Sequence, residues 1–307
     1  MTRVWRWGPV VVAVSVLGAC TSPAYPPRPA PSSTAPAPQT GVAPAIPRPS
    51  AGSPQASGAS PQASGSSPRP PASAARWQPA RGLTWQWQLT GTVDTSLPVQ
   101  VYDVDAVTTP ASTVAVLHAA GKHVICYVNV GAKETFRGDA ASFPPAVVGG
   151  GLEGWPGENW LDIRQWDALR PIMTARLQSC RAKGFDGVEP DNVDGYANHS
   201  GFPLTAADQL AYNRHIADLA HSLGLAAGLK NDVEQAATLQ PAFDFAVNEE
   251  CAHYDECDRL KPFVAAGKPV FHVEYDLATS AFCATTKALG FSSMRKKVSL
   301  DAWREAC

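Results

Sequence analysis

The chain has 307 residues with 25 basic and 27 acidic side chains, a length for one or two domains and a balance that excludes a globally basic nucleic-acid binder. The average conceals two regions. Residues 21–75 hold 15 of the 28 prolines and no Asp, Glu, Lys, Leu, Phe, Trp or Cys, so they cannot bury enough apolar surface to offset chain entropy. Residues 76–307 hold 20 basic residues against all 27 acidic ones and are long enough for one sizeable core.

At the N-terminus Arg3 and Arg6 precede a short apolar run, Val10 to Leu17, too brief to span a bilayer and arranged like a secretory signal. It ends in Leu17-Gly18-Ala19-Cys20, which resembles a bacterial lipobox, and this implies lipidation of Cys20 as the first residue of the mature chain. The Pro/Ala/Ser/Gly tract that follows repeats Ser-Pro-Gln-Ala-Ser-Gly at Ser53–Gly58 and Ser60–Gly65, a spacer composition. As flexible coil it spans roughly 40 Å, and as polyproline II at most about 170 Å, so a tethered domain would work away from the membrane surface. The expected organisation is a signal peptide over 1–19, an anchor and disordered linker over 20–76, and a folded domain over 77–307. That domain would lie outside the cytoplasm, membrane-anchored through lipid or secreted, and would be monomeric.

Within the folded part, strands are predicted over Thr84–Leu89, Val99–Asp103, His123–Asn129, Gly187–Asp191, Ala226–Lys230, Phe245–Glu249, Val270–Tyr275 and Ser293–Val298. A helix opens near Asp167, places Leu169, Ile172, Met173, Leu177 and Cys180 on one face, and stops at Gly184. A second begins at the capping box Thr205/Asp208, aligns Tyr212, Ile216, Leu219, Ala220 and Leu223, and stops at Gly224. Eight βα units in this length fit an α/β fold of the (β/α)8 TIM-barrel type; a doubly wound sheet is less apt, because no GxGxxG turn opens a helix.

In such a barrel the C-terminal strand ends line the active face. The residues there are Asp103 and Asp105, Asn129, Glu189 and Asp191, Lys230 and Asn231, Glu249, and Glu274. Side chains alternate along a strand, so Asp103 with Asp105, and Glu189 with Asp191, point to one side and would converge on a pocket. Paired carboxylates suit glycoside hydrolysis, one protonating the leaving oxygen and the other attacking carbon or activating water. Aromatic rings that can stack on sugar faces lie nearby: Trp85, Trp87, Tyr127, Trp155, Trp160, Tyr196 and Tyr275. Trp155 and Trp160 occupy a Gly/Pro-rich connection, Gly149 to Trp160, of the kind that carries function.

Rival chemistries fit less well. His199, His253 and His272 are scattered without close ligand spacing, so no metal or other cofactor is expected, and no Gly-x-Ser-x-Gly elbow marks a nucleophilic serine. Apart from Cys20 the cysteines are Cys126, Cys180, Cys251, Cys257, Cys283 and Cys307, an even number consistent with three disulfides. Fifteen connectivities are open; closeness in sequence favours Cys251 with Cys257 and Cys283 with Cys307, which leaves Cys126 with Cys180.

Several ordered stretches between Trp85 and Asp276 together resemble glycoside hydrolase family 114: Tyr102-Asp103-Val104-Asp105, Cys126-Tyr127, Gly154 to Asp162 (Gly-Trp-Pro-Gly-Glu-Asn-Trp-Leu-Asp), Gly184 to Asp194 (Gly-Phe-Asp-Gly-Val-Glu-Pro-Asp-Asn-Val-Asp), Gly228-Leu229-Lys230-Asn231 and Asn248-Glu249-Glu250-Cys251. The resemblance implies a TIM-barrel endo-α-1,4-polygalactosaminidase acting on galactosamine-containing polysaccharide. It further implies Asp191 as nucleophile, or as base in an inverting enzyme, and Glu249 as general acid, with Glu189 as the rival acid on the fourth strand. Substrate contacts are expected from Asp103, Asp105, Tyr127, Trp155, Trp160, Glu189, Asn192, Asp194, Lys230, Asn231, Glu274 and Tyr275. The segment Asn129-Val130-Gly131-Ala132-Lys133-Glu134 departs from the family's more serine-rich pattern. An acidic domain would attract a cationic amino sugar, and Asp103, Asp105, Asp194 and Glu274 are the expected ammonium ligands. The alternatives are a non-catalytic polysaccharide-binding lipoprotein on the same scaffold, or another glycosidase or a deacetylase acting on an amino-sugar polymer.

Overall fold

The computed structural model describes residues 76–307; the expected signal peptide, Cys20 and all but the last residue of the linker expected over 20–76 lie outside the described residues. In chain order the regular elements are β1 (Trp85–Gln88), β2 (Val101–Asp105), α1 (Ala111–Ala119), β3 (His123–Asn129), β4 (Ala132–Glu134), β5 (Val148–Gly151), β6 (Glu158–Leu161), α2 (Trp166–Lys183) and β7 (Gly187–Asp191). They continue with α3 (Ala206–Ser222), β8 (Ala226–Lys230), α4 (Ala236–Leu239), β9 (Phe245–Glu249), α5 (Lys261–Ala265), β10 (Val270–Glu274), α6 (Thr279–Ala288), β11 (Ser292–Arg295) and β12 (Glu305–Ala306). Among the described residues no helix is long and apolar enough to cross a membrane.

The principal sheet runs β1-β2-β3-β7-β8-β9-β10-β11, all parallel and in chain order, with the short β12 antiparallel on its edge. Its two ends meet through side chains and a loop. The Trp85 indole donates to the Ser292 carbonyl at 2.9 Å, the Gln86 amide to the Ala302 carbonyl at 2.9 Å, and the Leu89 N–H to the Leu300 carbonyl at 2.9 Å. Among the described residues no backbone ladder joins β1 to β11, so the C-terminal segment seals the curled sheet.

The expected eight repeats are corrected in detail. No helix follows β1 or β11 among the described residues, and α4 and α5 have only four and five residues. The segment after β1, Thr90-Gly91-Thr92-Val93-Asp94-Thr95-Ser96-Leu97-Pro98, has no helical apolar stripe and forms turns. The second strand begins two residues later than its pattern suggested, and the last ends at Arg295 rather than Val298. Between β3 and α2 a small antiparallel sheet, β4-β6-β5, was not expected.

Strand alternation divides the core into two faces. Trp85, Trp87, Val101, Ile125, Ala226, Phe245, Val247, Phe271, Val273 and Met294 fill the interior, whereas Tyr102, Val104, Val124, Val188, Leu229, Ala246 and Val270 face the helices. Helix α2 buries the anticipated Leu169, Ile172, Met173, Leu177 and Cys180, and α3 opens with the anticipated capping box: the Asp208 N–H donates to Thr205 Oγ1 at 3.2 Å, and the Thr205 N–H to Asp208 Oδ2 at 2.8 Å. The three disulfides join Cys126 to Cys180, Cys251 to Cys257 and Cys283 to Cys307. The first pins β3 to α2 and closes a 54-residue separation, about 4 kcal/mol in the chain-entropy account.

Candidate active site

The odd-numbered inward positions of β2, β3, β7 and β9 include Asp103, Tyr127, Asp191 and Glu249, and on β8 the inward position at the C-terminal end is Lys230. The Lys230 ammonium lies 3.1 Å from Glu189 Oε1, 3.0 Å from Asp191 Oδ1 and 3.2 Å from Glu249 Oε2. Beneath it sits the Trp87 ring, 4.6 Å from the nitrogen, a favourable cation–π placement. The Tyr127 hydroxyl donates to Asp191 Oδ2 at 2.7 Å, and the Tyr275 hydroxyl donates to Glu249 Oε1. Asn231 Nδ2 donates to Glu249 Oε2 at 3.1 Å while Asn231 Oδ1 accepts the Glu249 N–H at 2.9 Å, which fixes both ends of that residue.

The chain leaves three neighbouring strands through left-handed turns at non-glycine residues: Asn192 (φ 61°), Asn231 (φ 48°) with Asp232 (φ 41°), and Glu250 (φ 62°). Asn tolerates this conformation better than most residues, and the turns direct the chain sharply away from Asp191, Lys230 and Glu249. Gly131 completes the support. A Cβ there would lie 1.6 Å from the Asn192 carbonyl oxygen, and the close approach lets the Val130 and Gly131 N–H groups donate to the Asp191 carbonyl, each at 3.1 Å.

Exposure separates the acids. The Glu189 side chain is sealed at 0%, whereas Asp191 and Glu249 retain 17% and 26% of their side-chain surface, so these two face the cleft and Glu189 lies below them. Burial alone would lower the Lys230 amine, but Asp191, Glu189 and Glu249 outweigh it and hold the amine well above its usual range, firmly charged. Burial, then the Glu189 charge, pushes Asp103 well up, and burial also raises Glu189 against the pull of Lys230. Desolvation and the Asp191 charge bring Asp194 up to about 6.

Comparison with known proteins agrees with this geometry. The sequence pattern of the family described as "Glycoside-hydrolase family GH114" matches residues 66–307. The chain belongs to glycoside hydrolase family 114. A crystal structure of Aspergillus fumigatus Ega3 in complex with galactosamine is similar at 40% identity and TM-score 0.73, covering 76% of this chain and 99% of that one. The glycoside hydrolase domain of PelA from Pseudomonas aeruginosa shares the fold at 15% identity and TM-score 0.56, covering 72% of this chain and 96% of that one. An uncharacterized protein of Deinococcus radiodurans is 31% identical over 228 residues, 62% of this chain and 71% of its own. The chain is thus a glycosidase-family domain with a mixed α/β fold around a curled parallel sheet.

Not every expected contact of this family-114 domain reaches the cleft. Asp105, on the inward side at the β2 exit, is bound by Arg137 (Nη1 to Oδ1, 3.1 Å), which also donates from Nε to Glu134 Oε1 at 3.0 Å. Arg176 lies beside them and holds Asp139 at 2.7 Å. Asp105 is therefore a partner in a closed ionic network. Glu274 sits on the outward face, fully buried, 2.8 Å from His272 Nε2 and accepting the Ala252 N–H at 2.8 Å; strand parity gives the cleft Tyr275 instead. Asp103 is fully buried too, with no surface for a sugar. Trp160 is 7% exposed and packs on Gly195, so it supports the wall, whereas Trp155 is 53% exposed in its loop. Trp85 and Trp87 belong to the interior. Asn192, Asp194 and Tyr196 are half-buried beyond the β7 exit.

The structure adds Asp232, which the sequence reading passed over. Its buried carboxyl accepts from Asn213 Nδ2 at 2.9 Å and is pushed up to about 8, chiefly by desolvation and then by the Asp194 charge. Its place one residue beyond Lys230-Asn231 was the available signal. Among the described residues Cys251, Cys257 and His272 are close enough to share an ion, but the two sulfurs are joined in a disulfide. A cavity of about 270 Å³ opens beside Tyr275, lined also by Asp276, Arg295, Lys297 and Trp303.

Proposed function

We propose that the domain is an endo-acting glycosidase that cuts α-1,4-linked galactosamine-containing polysaccharide, with Asp191 as nucleophile and Glu249 as general acid and then base. One observation carries the reading: the two cleft-facing acids meet at a single ammonium. Asp191 Oδ1 and Glu249 Oε2 contact the same Lys230 nitrogen at 3.0 and 3.2 Å, which limits their separation to about 6 Å. Retaining enzymes place their carboxyl groups about 5–5.5 Å apart and inverting ones about 6.5–9.5 Å, so the arrangement favours attack by a carboxylate over attack by an interposed water.

In the first step Asp191 would bond to the anomeric carbon as Glu249 protonates the departing glycosidic oxygen; in the second, Glu249 would take a proton from water attacking the glycosyl ester. Tyr127 and Lys230 fix the nucleophile. Tyr275, whose hydroxyl can accept as well as donate, suits Glu249 in both protonation states. The Ega3 complex, 40% identical in sequence, contains galactosamine, and the surplus of acids over bases in residues 76–307 suits a cationic polymer. Asp194, half-buried and free of a cationic partner within salt-bridge distance among the described residues, is the acid best placed to meet a substrate ammonium group near the cleft. Lipid anchoring through Cys20, with the domain held outside the cytoplasm on its Pro-rich tether, completes the proposal.

The test is the product size distribution from α-1,4-linked galactosamine polymer incubated with the full chain or with Glu249→Gln. Shortened chains from the wild type and a loss of at least about a thousandfold in the variant are expected. Polymer bound but left intact by both would favour a binding lipoprotein, and acetate released without shortening would favour a deacetylase.

A further inference from the structure

Below the cleft, two carboxyl groups remain whose chemistry the reaction does not use. Asp103 on β2 and Glu189 on β7 are both fully buried; among the described residues no N–H group or side chain outside the pair donates to either Asp103 oxygen, and the donor that reaches Glu189 is the shared Lys230 ammonium, 3.1 Å from Oε1. The charged and titratable groups that face Asp103 are Glu189 and Asp191 from β7 and Lys230 from β8; Tyr127 on β3 is committed to Asp191, and β1 offers only the Trp87 ring. Lys230 is shared: it touches Glu189 while also reaching Asp191 and Glu249. One ammonium cannot neutralise every acid around it, and two buried carboxyls that have a single shared cation between them and the cleft acids hold a proton between them.

We propose that Asp103 is a protonated positioning residue: it donates its proton to Glu189, so that Glu189 remains a single negative seat for Lys230 and holds that ammonium between Asp191 and Glu249. Burial first, and then the neighbouring Glu189 charge, act on Asp103 in the direction of the neutral acid. If Asp103 were ionised instead, it would compete with the cleft acids for the same ammonium and draw Lys230 down toward the Trp87 ring. The proton on Asp103 thus sets where Lys230 sits, and Lys230 in turn sets the field and the spacing at the reacting pair.

This inference rests on the proposed roles of Asp191 and Glu249 only for its kinetic arm. In that arm, Asp103→Ala lowers kcat about a hundredfold with little change in KM, because the loss is one of placement, and Asp103→Asn, a neutral isostere that can donate to Glu189, restores most of it. The second arm needs no substrate: infrared difference spectra of the resting full chain at neutral pH, read in the carbonyl-stretch region of protonated carboxylic acids. Other protonated acids, Asp232 and the proposed general acid Glu249, would absorb in the same region, so the difference between proteins is read. The wild-type-minus-Asp103→Asn spectrum is expected to show one protonated carboxyl lost, and in Glu189→Gln the band is expected to persist and shift. A band unchanged by Asp103→Asn, a band abolished by Glu189→Gln, or an Asp103→Asn protein that is folded, binds polymer and is as inactive as the alanine variant would each overturn the proposal. If Asp103→Asn does not fold, Glu189→Gln alone decides where the proton resides. A wild type inactive on galactosamine polymer would remove the proposed substrate and leave the infrared result standing.

Discussion

Two ionic clusters stand at the strand exits of this domain, and they differ in how acids are matched to cations. In one, Asp105 and Glu134 share Arg137, and Arg176 holds Asp139 while lying 3.9 Å from Glu134, so three acids meet two guanidiniums with directed bonds. In the other, among the described residues, Glu189, Asp191 and Glu249 converge on the single ammonium of Lys230, with Asp103 beneath. Acids held by directed guanidinium bonds lock a wall. Acids in excess over their cation are held close together at high electrostatic cost, and that arrangement places a nucleophile and a proton donor side by side.

The sharpest way to break this distinction is to remove the single cation. Lys230→Met should lower kcat on the polymer about a hundred- to a thousandfold, because the acids lose their shared counter-charge and their spacing; a kcat within tenfold of wild type in a folded protein would show that the cluster does not depend on it. Next, Arg137→Leu leaves Asp105 and Glu134 buried without their main partner and should destabilise the domain by about 3–5 kcal/mol, measured by denaturant unfolding, while any folded fraction keeps its KM. A smaller effect separates the two faces of β10. Tyr275→Phe should reduce kcat about tenfold through the lost bond to Glu249, whereas Glu274→Gln should act on the melting temperature and leave KM unchanged.

The smallest expected effect is one of pH. Asp232, at about 8 in the fold against the ordinary carboxylate value when unfolded, binds a proton on folding between those limits, so its contribution to stability is full below pH 4 and is lost as pH rises through 8. Asp232→Asn should therefore raise the melting temperature relative to wild type more at pH 8 than at pH 5. Equal shifts at both values would show that the group is not protonated in the fold.

The strands β3, β7, β8 and β9 were legible residue for residue, because each is a short apolar run that ends in a polar residue and begins after a turn or capped helix. The same alternation that joined Asp191 to Glu189 should have excluded Glu274, since Glu274 and Tyr275 cannot both face inward. Asp105 was a different failure: its inward parity was read correctly, but Arg137, 32 residues along the chain, cannot be seen from strand periodicity. The β4-β6-β5 sheet is too short and glycine-rich to leave a pattern, and its folding is what turns Trp160 into the wall. The disulfides were legible because pairing the two closest sets left one choice for the third.

The measurement that tests the central claim most directly is a proton NMR time course of anomeric signals as the full chain cuts an α-1,4-galactosamine oligomer. Asp191 and Glu249 acting across Lys230 should release new reducing ends as the α anomer first, with the β anomer growing only by mutarotation, and Asp191→Asn should release none. Initial β product, or cleavage that survives in Asp191→Asn, would contradict it.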